Sequence, residues 1–512
     1  MISWTRKAWN EEPLTIIMGL AIILRLAAIV FAKGWGMHDD HFLVIESAQS
    51  WVDGLDQTYW LPWNPRNHGP TGHLLLYPGL HFILFSFLEL VGITDPQAKM
   101  FVVRLVHGAW SLVSVLFAYR IAMKFEGLKT ARTVGLLMAV LWCIPWLSVR
   151  NLVEWACVPF LILAFWQMVK KDNPAHPFWI FFIAGVLFGL AVDIRLQTCL
   201  FPLGAGLVLL YQRRWKEFTA LTLGTLSAIL FILGTFDMIL WGYPLAELMQ
   251  YIAGNIAQRN DYITLPWFQF FIVLTAALIP PISLFFLFGF FRTWKKQTLL
   301  FVPALLFLIF HSYFPNKQER FILPLIPFFI ILGVIGWNQF AERSKFWKNH
   351  RKLLQGCWTF FWVINLLFLP VITVNYSKKA RVETMNYLSK YPNINHMLVA
   401  DDDNRPELFP RFYVHQWPHI YCEFIDKEDT EEMILRVHDL PHSQHPRFIL
   451  FSGIARLQER VMKTRESFPF IVYETTIEPG FIDWLVHWIN PINQNNVITI
   501  YRNCEFFPER IE

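Results

Sequence analysis

About eleven apolar segments of roughly 17–25 residues, separated by short polar turns, leave this chain few ways to fold. In hydrocarbon every backbone amide and carbonyl must be satisfied within its own segment, so such stretches become helices that cross a bilayer. They fall near 13–32, 102–121, 133–150, 152–169, 177–194, 196–212, 218–241, 267–291, 298–314, 321–338 and 356–375. Hydrophobic residues make up 55% of the 512 and charged residues only 16%, which a soluble domain of this length does not match. The chain reads as an α-helical polytopic membrane protein.

The net charge of +5 matters less than its distribution. Basic clusters recur at 120–132, 170–171, 213–216, 292–296 and 343–352, and no run resembles a nucleic-acid-binding patch. If these clusters stay on the cytoplasmic side, the topology follows. The apolar run at 74–93 then lies in the interface or re-enters without crossing, the N-terminus is inside and the C-terminus outside. No small-residue cleavage site follows the first segment, so it is read as a retained helix rather than a signal peptide.

This topology carries Asp39, Asp40, Glu46, Arg150, Glu154, Asp193, Arg195, Asp237, Lys317, Glu319 and Arg320 to the outer face, although they come from distant segments. A charge at the bilayer centre costs about 2.5–3.5 kcal/mol on insertion scales, so a rim rich in both signs implies a wet cavity. Asp39 and Asp40 stand just beyond the first span in His38-Asp39-Asp40-His41, where a base is reachable from both water and lipid. Arg25 sits within that span and is expected to face inward. Plainer readings compete: Arg150 and Glu154 are four apart and can form a structural helix pair, and Asp193 and Asp237 can be helix-end solvation. The tracts Phe181-Phe182 and Phe285-Phe286 are packing, and His68, His73 and His81 lack metal-ligand spacing.

Arg25, the Asp39-Asp40 pair, Glu46 seven residues after Asp39, and Tyr59-Trp60 together resemble the first outer loop of the dolichyl-phosphate-mannose-dependent mannosyltransferases. These build N-glycan precursors and GPI anchors. His38 stands where that family's signature has Pro, and Leu61 where it has Glu. The segment from His311 to Pro324 is similar to the family's His-Lys-Glu-x-Arg-Phe stretch. It keeps Lys317, Arg320 and Phe321 but has Asn316 for the His and Gln318 for the Glu. Looser similarity at Arg150 to Glu154, Asp193 to Gln197, Asp237 with Trp241-Gly242, Asn255 and Pro266-Trp267 extends the likeness over about 20–340.

The resemblance implies a GT-C glycosyltransferase that moves a sugar, mannose by analogy, from a polyprenyl-phosphate donor to a glycan or glycolipid acceptor, with inversion. Asp39 is then the expected base with Asp40 beside it. Lys317 and Arg320 are the expected phosphate clamp, assisted by Arg195. Arg25, Glu46, Arg150, Glu154 and Asp237 complete the expected substrate-binding set. With no nucleotide-binding Gly-rich loop and no dense Cys/His/Asp cluster, neither a nucleotide donor nor an obligatory metal or other cofactor is expected. The first reading of location is a plasma membrane with the site facing outward; the alternative is the endoplasmic reticulum facing its lumen. A transporter or flippase of a lipid-linked saccharide would also use outer-face charges, but no repeat with paired broken helices is visible. A non-catalytic scaffold would leave Asp39 and the Lys317–Arg320 segment without a purpose.

The transmembrane domain is expected over 1–376, with an outer loop at 33–101, and a small extracytoplasmic α/β domain over 377–512. Strands are expected at 397–400, 419–424, 448–451 and 497–501, with helices at 380–390, 431–439 and 454–466. The run Asp401-Asp402-Asp403 is read as a solvated loop ahead of a cation or sugar site. Cys422 and Cys504 can pair if the compartment is oxidising.

Overall fold

The computed structural model describes residues 9–172, 175–259, 264–401, 408–422, 429–489 and 496–509. The chain divides into two compact units, one made of 1–31, 54–83 and 102–374, the other of 32–53, 84–101 and 375–512. The stretch 33–101, expected as one outer loop, is therefore shared between them.

Six helices among the described residues are long and apolar enough to cross a membrane: Pro13–Phe31, Pro96–Val140, Pro177–Ile194, Trp215–Trp241, Glu319–Arg343 and Arg351–Thr373. Five shorter apolar helices accompany them, Leu76–Leu90 included. That helix has 15 residues, about 22 Å at 1.5 Å per residue, less than a hydrocarbon core. The 45-residue helix Pro96–Val140 is two helices meeting at Gly127, whose φ of 75° ends the first and lets the second begin.

The span expected at 133–150 is broken, because helical backbone stops at Val140 and resumes only as the turn Ile144–Leu147 around Pro145. Its interrupted backbone is not left bare. Asn365 of the helix Arg351–Thr373 accepts from Trp142 N and donates to Val140 O, each at 2.8 Å. One buried amide thus replaces the two partners that a break inside hydrocarbon would otherwise lose. The span expected at 267–291 is likewise two helices, Gln269–Ala277 and Ile282–Arg292. Helix Pro177–Ile194 packs tightly on Trp215–Ile229: a Cβ at Gly185 would lie 2.2 Å from Leu221 O, and one at Gly224 2.1 Å from Phe182 O. Only small residues allow backbones this close.

The second unit contains a five-stranded sheet in the order β2-β1-β3-β5-β4. Its strands are β1 (His396–Ala400), β2 (His419–Tyr421), β3 (Phe448–Ser452), β4 (Ile471–Ile477) and β5 (Ile498–Asn503). β1 runs parallel to β2 and β3, whereas β5 is antiparallel to β3 and β4. Helices Thr430–His438 and Leu457–Ser467 bury Met433, Val437 and Val461 against Leu398, Ile449 and Phe451. Glu474 of β4 ties the helix Lys379–Leu388 to the sheet, accepting from Tyr387 Oη, Tyr391 Oη at 2.7 Å and Arg502 Nε at 3.0 Å. Strand β4, which carries a register shift between Tyr473 and Thr475, and the helix Phe481–Ile489 were not among the expected elements. Phe424 of the expected strand 419–424 lies outside the described residues, as do Asp402 and Asp403 of the acidic run.

No disulfide joins any of the six cysteines. The sheet explains why Cys422 and Cys504 do not pair. Cys422 follows β2 and Cys504 follows β5, two strands intervene, and three strand spacings amount to about 14 Å, beyond a disulfide's Cα reach.

Candidate active site

In the helical unit, buried charges gather at Glu154. The chain turns out of helix after Leu147, runs extended at Leu152, and re-enters helix at Val153–Ala156, which sets Glu154 in a first turn. Its carboxylate is fully buried, with Arg195 Nη1 at 3.0 Å and Arg320 Nε at 3.5 Å from Oε1. Arg195 is the extended residue that ends Pro177–Ile194, and Arg320 lies in the tight turn Glu319–Leu325. Both guanidinium groups also lie near the Phe321 ring, 4.9 and 5.5 Å from its centroid, an arrangement that favours cations where water is scarce. Arg320 Nε donates to Gln318 Oε1 at 2.9 Å, so Gln318 serves here as a positioning acceptor.

Lys317 completes the group. It is 4% exposed, its ammonium donates to the Phe314 carbonyl, and burial pulls its pKa below the usual lysine value. Among the described residues no carboxylate lies within ion-pair distance of it. His311, in the last turn of the helix Thr298–Tyr313, is within electrostatic reach of both Arg195 and Lys317. Two of these cations, Arg195 and Arg320, share the carboxylate of Glu154. Asp193, in the last turn before Arg195, is fully buried, and neither of its carboxylate oxygens has a hydrogen-bond partner among the described residues.

Other expected site residues are used differently. Arg150 does not share a helix with Glu154, because the backbone break at 148–152 separates them, and Glu154 takes its cations from Arg195 and Arg320. The Arg150 guanidinium lies 4.4 Å from the Trp146 ring centroid. Arg25 donates to Ser111 Oγ at 2.7 Å and to the carbonyls of Ala21, Met138 and Ala139 at 3.3–3.4 Å. It clasps the first helix to two others and is fully occupied in doing so. Asp237 accepts from Glu247 N at 3.0 Å and so caps the helix Ala246–Ala257.

Glu247 was not found from sequence, being a lone acid beside an apolar helix start. Its carboxylate accepts from Gly72 N at 2.6 Å and His73 N at 3.1 Å, while burial pushes its pKa up. Gly72 has φ +80°, and a Cβ there would crowd the Tyr251 backbone at 3.1 Å. This loop also carries Trp60 stacked on His73 at 3.9 Å, a placement of the Tyr59-Trp60 step that a linear motif does not reveal.

In the other unit lies the acidic loop. Asp39 is exposed, whereas Asp40 is buried where a wide π-type turn, Asp40–Ile45, begins. Such turns recur at functional sites and have no sequence signature here. The turn is fixed by aromatic stacking, with His41 between Trp35 at 4.8 Å and Tyr413 at 5.5 Å. Burial lowers the His41 pKa to about 3, so the imidazole stays neutral. Glu46 then accepts from Phe412 N at 3.2 Å. Burial raises its pKa to about 7, opposed by the Arg411 charge and by the amides of Phe412 and Arg411. Glu46 thus anchors the loop to the segment Arg411–Val414.

The sequence model of the Alg9-like mannosyltransferase family matches residues 73–404, well over half of the chain. "GPI mannosyltransferase 4" of Saccharomyces cerevisiae is 24% identical over 352 residues, 65% of this chain and 65% of that protein. "GPI alpha-1,2-mannosyltransferase 3" of Bos taurus is 23% identical over 340 residues, 64% of this chain and 59% of that protein. The chain thus spans about 65% and 59% of the length of these relatives. Among solved structures, ArnT from Cupriavidus metallidurans bound to undecaprenyl phosphate superposes with a TM-score of 0.60. The match covers 95% of this chain and 97% of that one at 12% identity, a likeness of fold.

Proposed function

The chain belongs to the Alg9-like mannosyltransferase family, and from that premise we propose that it transfers mannose from a polyprenyl-phosphate donor to a glycan or glycolipid acceptor. The observation that carries this reading is the buried ammonium of Lys317, three residues before Arg320. Lys317, held at 4% exposure with only a carbonyl for company, calls for an anion that the described residues do not supply. A lipid phosphate meets that demand, and the guanidinium groups of Arg320 and Arg195 add forked donors suited to its oxygens. Undecaprenyl phosphate, bound by the ArnT of similar fold, is a ligand of this class.

The chemistry assigns the remaining roles. The acceptor hydroxyl attacks the anomeric carbon, its proton passes to the Asp39 carboxylate, and the sugar–phosphate bond breaks with its electron pair leaving on the polyprenyl phosphate. A single displacement inverts the sugar carbon. Asp39 is exposed and so accessible to an incoming hydroxyl, while buried Asp40 and Glu46 hold the loop that carries it. Charge growing on the departing phosphate is met by Lys317 and Arg320, already dehydrated and oriented.

The protein is a multi-pass membrane protein. A plasma-membrane location gains no support from the relatives named above, which come from yeast and cattle, and the endoplasmic reticulum alternative is the one we carry forward. The test is reconstitution: purified protein in lipid, a radiolabelled polyprenyl-phosphate mannose, and a glycolipid extract as acceptor. Label should enter the glycolipid pool. Transfer from a nucleotide-linked mannose with none from the lipid donor would overturn the reading.

A further inference from the structure

The helix Phe481–Ile489, sequence FIDWLVHWI, turns its apolar side outward. Phe481 is 69% exposed, Trp484 51%, Trp488 70% and Ile489 68%, while Asp483 is buried. In a soluble domain this polarity would be inverted, because the acid belongs in water and the aromatic rings in the core. Phe481, Trp484 and Trp488 follow the i, i+3, i+7 spacing of one helix face, so the exposed rings form a continuous stripe.

Asp483 is buried because it is docking the helix. Its Oδ2 accepts from Lys379 N at 3.1 Å, and a side chain at Gly480 would come within 3.1 Å of Tyr376 O, so the helix start abuts residues 376–379. Those residues follow the helix Arg351–Thr373 by only a few positions. Ser377 N in turn donates to Lys33 O at 3.1 Å, and Lys33 is the second residue beyond the helix Pro13–Phe31. Lys33 and residues 376–379, which anchor Phe481–Ile489, thus each follow an apolar helix by only a few positions of the chain, and such helix ends lie at the boundary of hydrocarbon and water. Lys33, Lys378 and Lys379 stand at the same place, partly exposed.

We propose that Phe481–Ile489 lies in the membrane interface, with Phe481, Trp484, Trp488 and Ile489 inserted among the lipid headgroups and upper acyl chains. Three features select lipid as the occupant. The aromatic rings are of the type enriched at membrane–water boundaries. The stripe is anchored on residues 376–379, which follow the apolar helix Arg351–Thr373 directly in the chain. The neighbouring lysines complement anionic headgroups. The role is to fix the second unit at the surface.

The test places a nitroxide spin label, one position at a time, at Trp484→Cys, Trp488→Cys and Glu459→Cys in a variant whose native cysteines are replaced. The full chain is held in nanodiscs of phosphatidylcholine with phosphatidylglycerol, and collision with oxygen is compared with collision with a water-soluble nickel chelate. Labels at 484 and 488 should favour oxygen several-fold more than the label at the exposed, charged helix position 459. Equal nickel access at all three positions would overturn the proposal, since the stripe would then be in water. Poor access to both agents at 484 and 488 would also overturn it, by showing protein rather than lipid against the face. To guard against loss of folding, the more conservative Trp488→Phe, with the label at 485, must give the same oxygen preference.

Discussion

The acidic loop and the basic cluster both bury charge, but they neutralise it by opposite means. In the loop, Glu46 is answered by a backbone amide and shifts toward its uncharged form, while Asp39 is left at the surface. In the helical unit, Arg195 and Arg320 share Glu154, and among the described residues Lys317 has only a carbonyl. The first arrangement mounts one exposed carboxylate on a fixed support. The second gathers Arg195, Arg320 and Lys317 in a water-poor part of its unit. Arg25 adds the control within the same unit: a buried guanidinium whose partners are three carbonyls and a hydroxyl demands nothing further.

The largest expected effect comes from dividing the loop. Asp39→Asn should lower mannose transfer by about 10²–10⁴-fold, the usual contribution of a positioned base, with lipid-donor binding retained. Steady-state transfer beside a donor-binding measurement checks this, and full activity would remove Asp39 from the chemistry.

Next comes the cluster. Lys317→Met and Arg320→Ala should each cost about 10²–10³ in turnover, as for the loss of one charge-stabilising donor, and Arg320→Lys should cost less than Arg320→Ala. Unchanged transfer at saturating donor in both Arg320 variants would make that residue structural. It would also erase the contrast with Arg25.

Arg25→Met tests the other half of that contrast. Activity per folded molecule should stay near wild type, while stability falls by about 1–3 kcal/mol because Ser111 and the clasped carbonyls lose a buried donor. A thermal midpoint read alongside transfer separates the two outcomes, and a selective loss of activity would return Arg25 to the substrate site.

The smallest effect concerns Glu46. Its folded pKa of about 7 lies above the ordinary 4.5, so the folded state holds a proton that the unfolded state releases between those values. Stability should therefore decline as pH rises from about 4.5 to 7, with the cost fully present above the folded pKa. Glu46→Gln keeps the carbonyl that accepts from Phe412 N and should flatten this dependence. Thermal midpoints across that window check it, and an unchanged slope would assign the titration elsewhere.

Much of the helical unit was legible because hydrocarbon enforces its own rule: long apolar runs must be helices. Where the expectation failed, a side chain distant in sequence was responsible. The span 133–150 is broken at Leu141 because Asn365, more than 200 positions later, satisfies the open backbone. The Arg150–Glu154 pair failed for a related reason, since four-residue spacing implies a shared face only if the backbone between is helical. β4 was missed because its residues do not alternate, its register shifting between Tyr473 and Thr475, and Glu247 because its amide partners come from residues 72–73.

By itself the sequence determined a polytopic helical protein, the sheet-containing C-terminal region, and the two motifs, Asp39 to Glu46 and Lys317 to Phe321. Those depend on local composition and on residue types at short spacing, which a linear chain displays directly. The tertiary structure alone decided which charges are spent and which remain to act. It turned Arg25 into a clasp, Asp237 into a cap and Glu46 into an anchor, and among the described residues it gave Lys317 a carbonyl rather than a carboxylate. Whether a buried charge is satisfied depends on partners brought from far along the chain, and burial makes each such partner worth kilocalories.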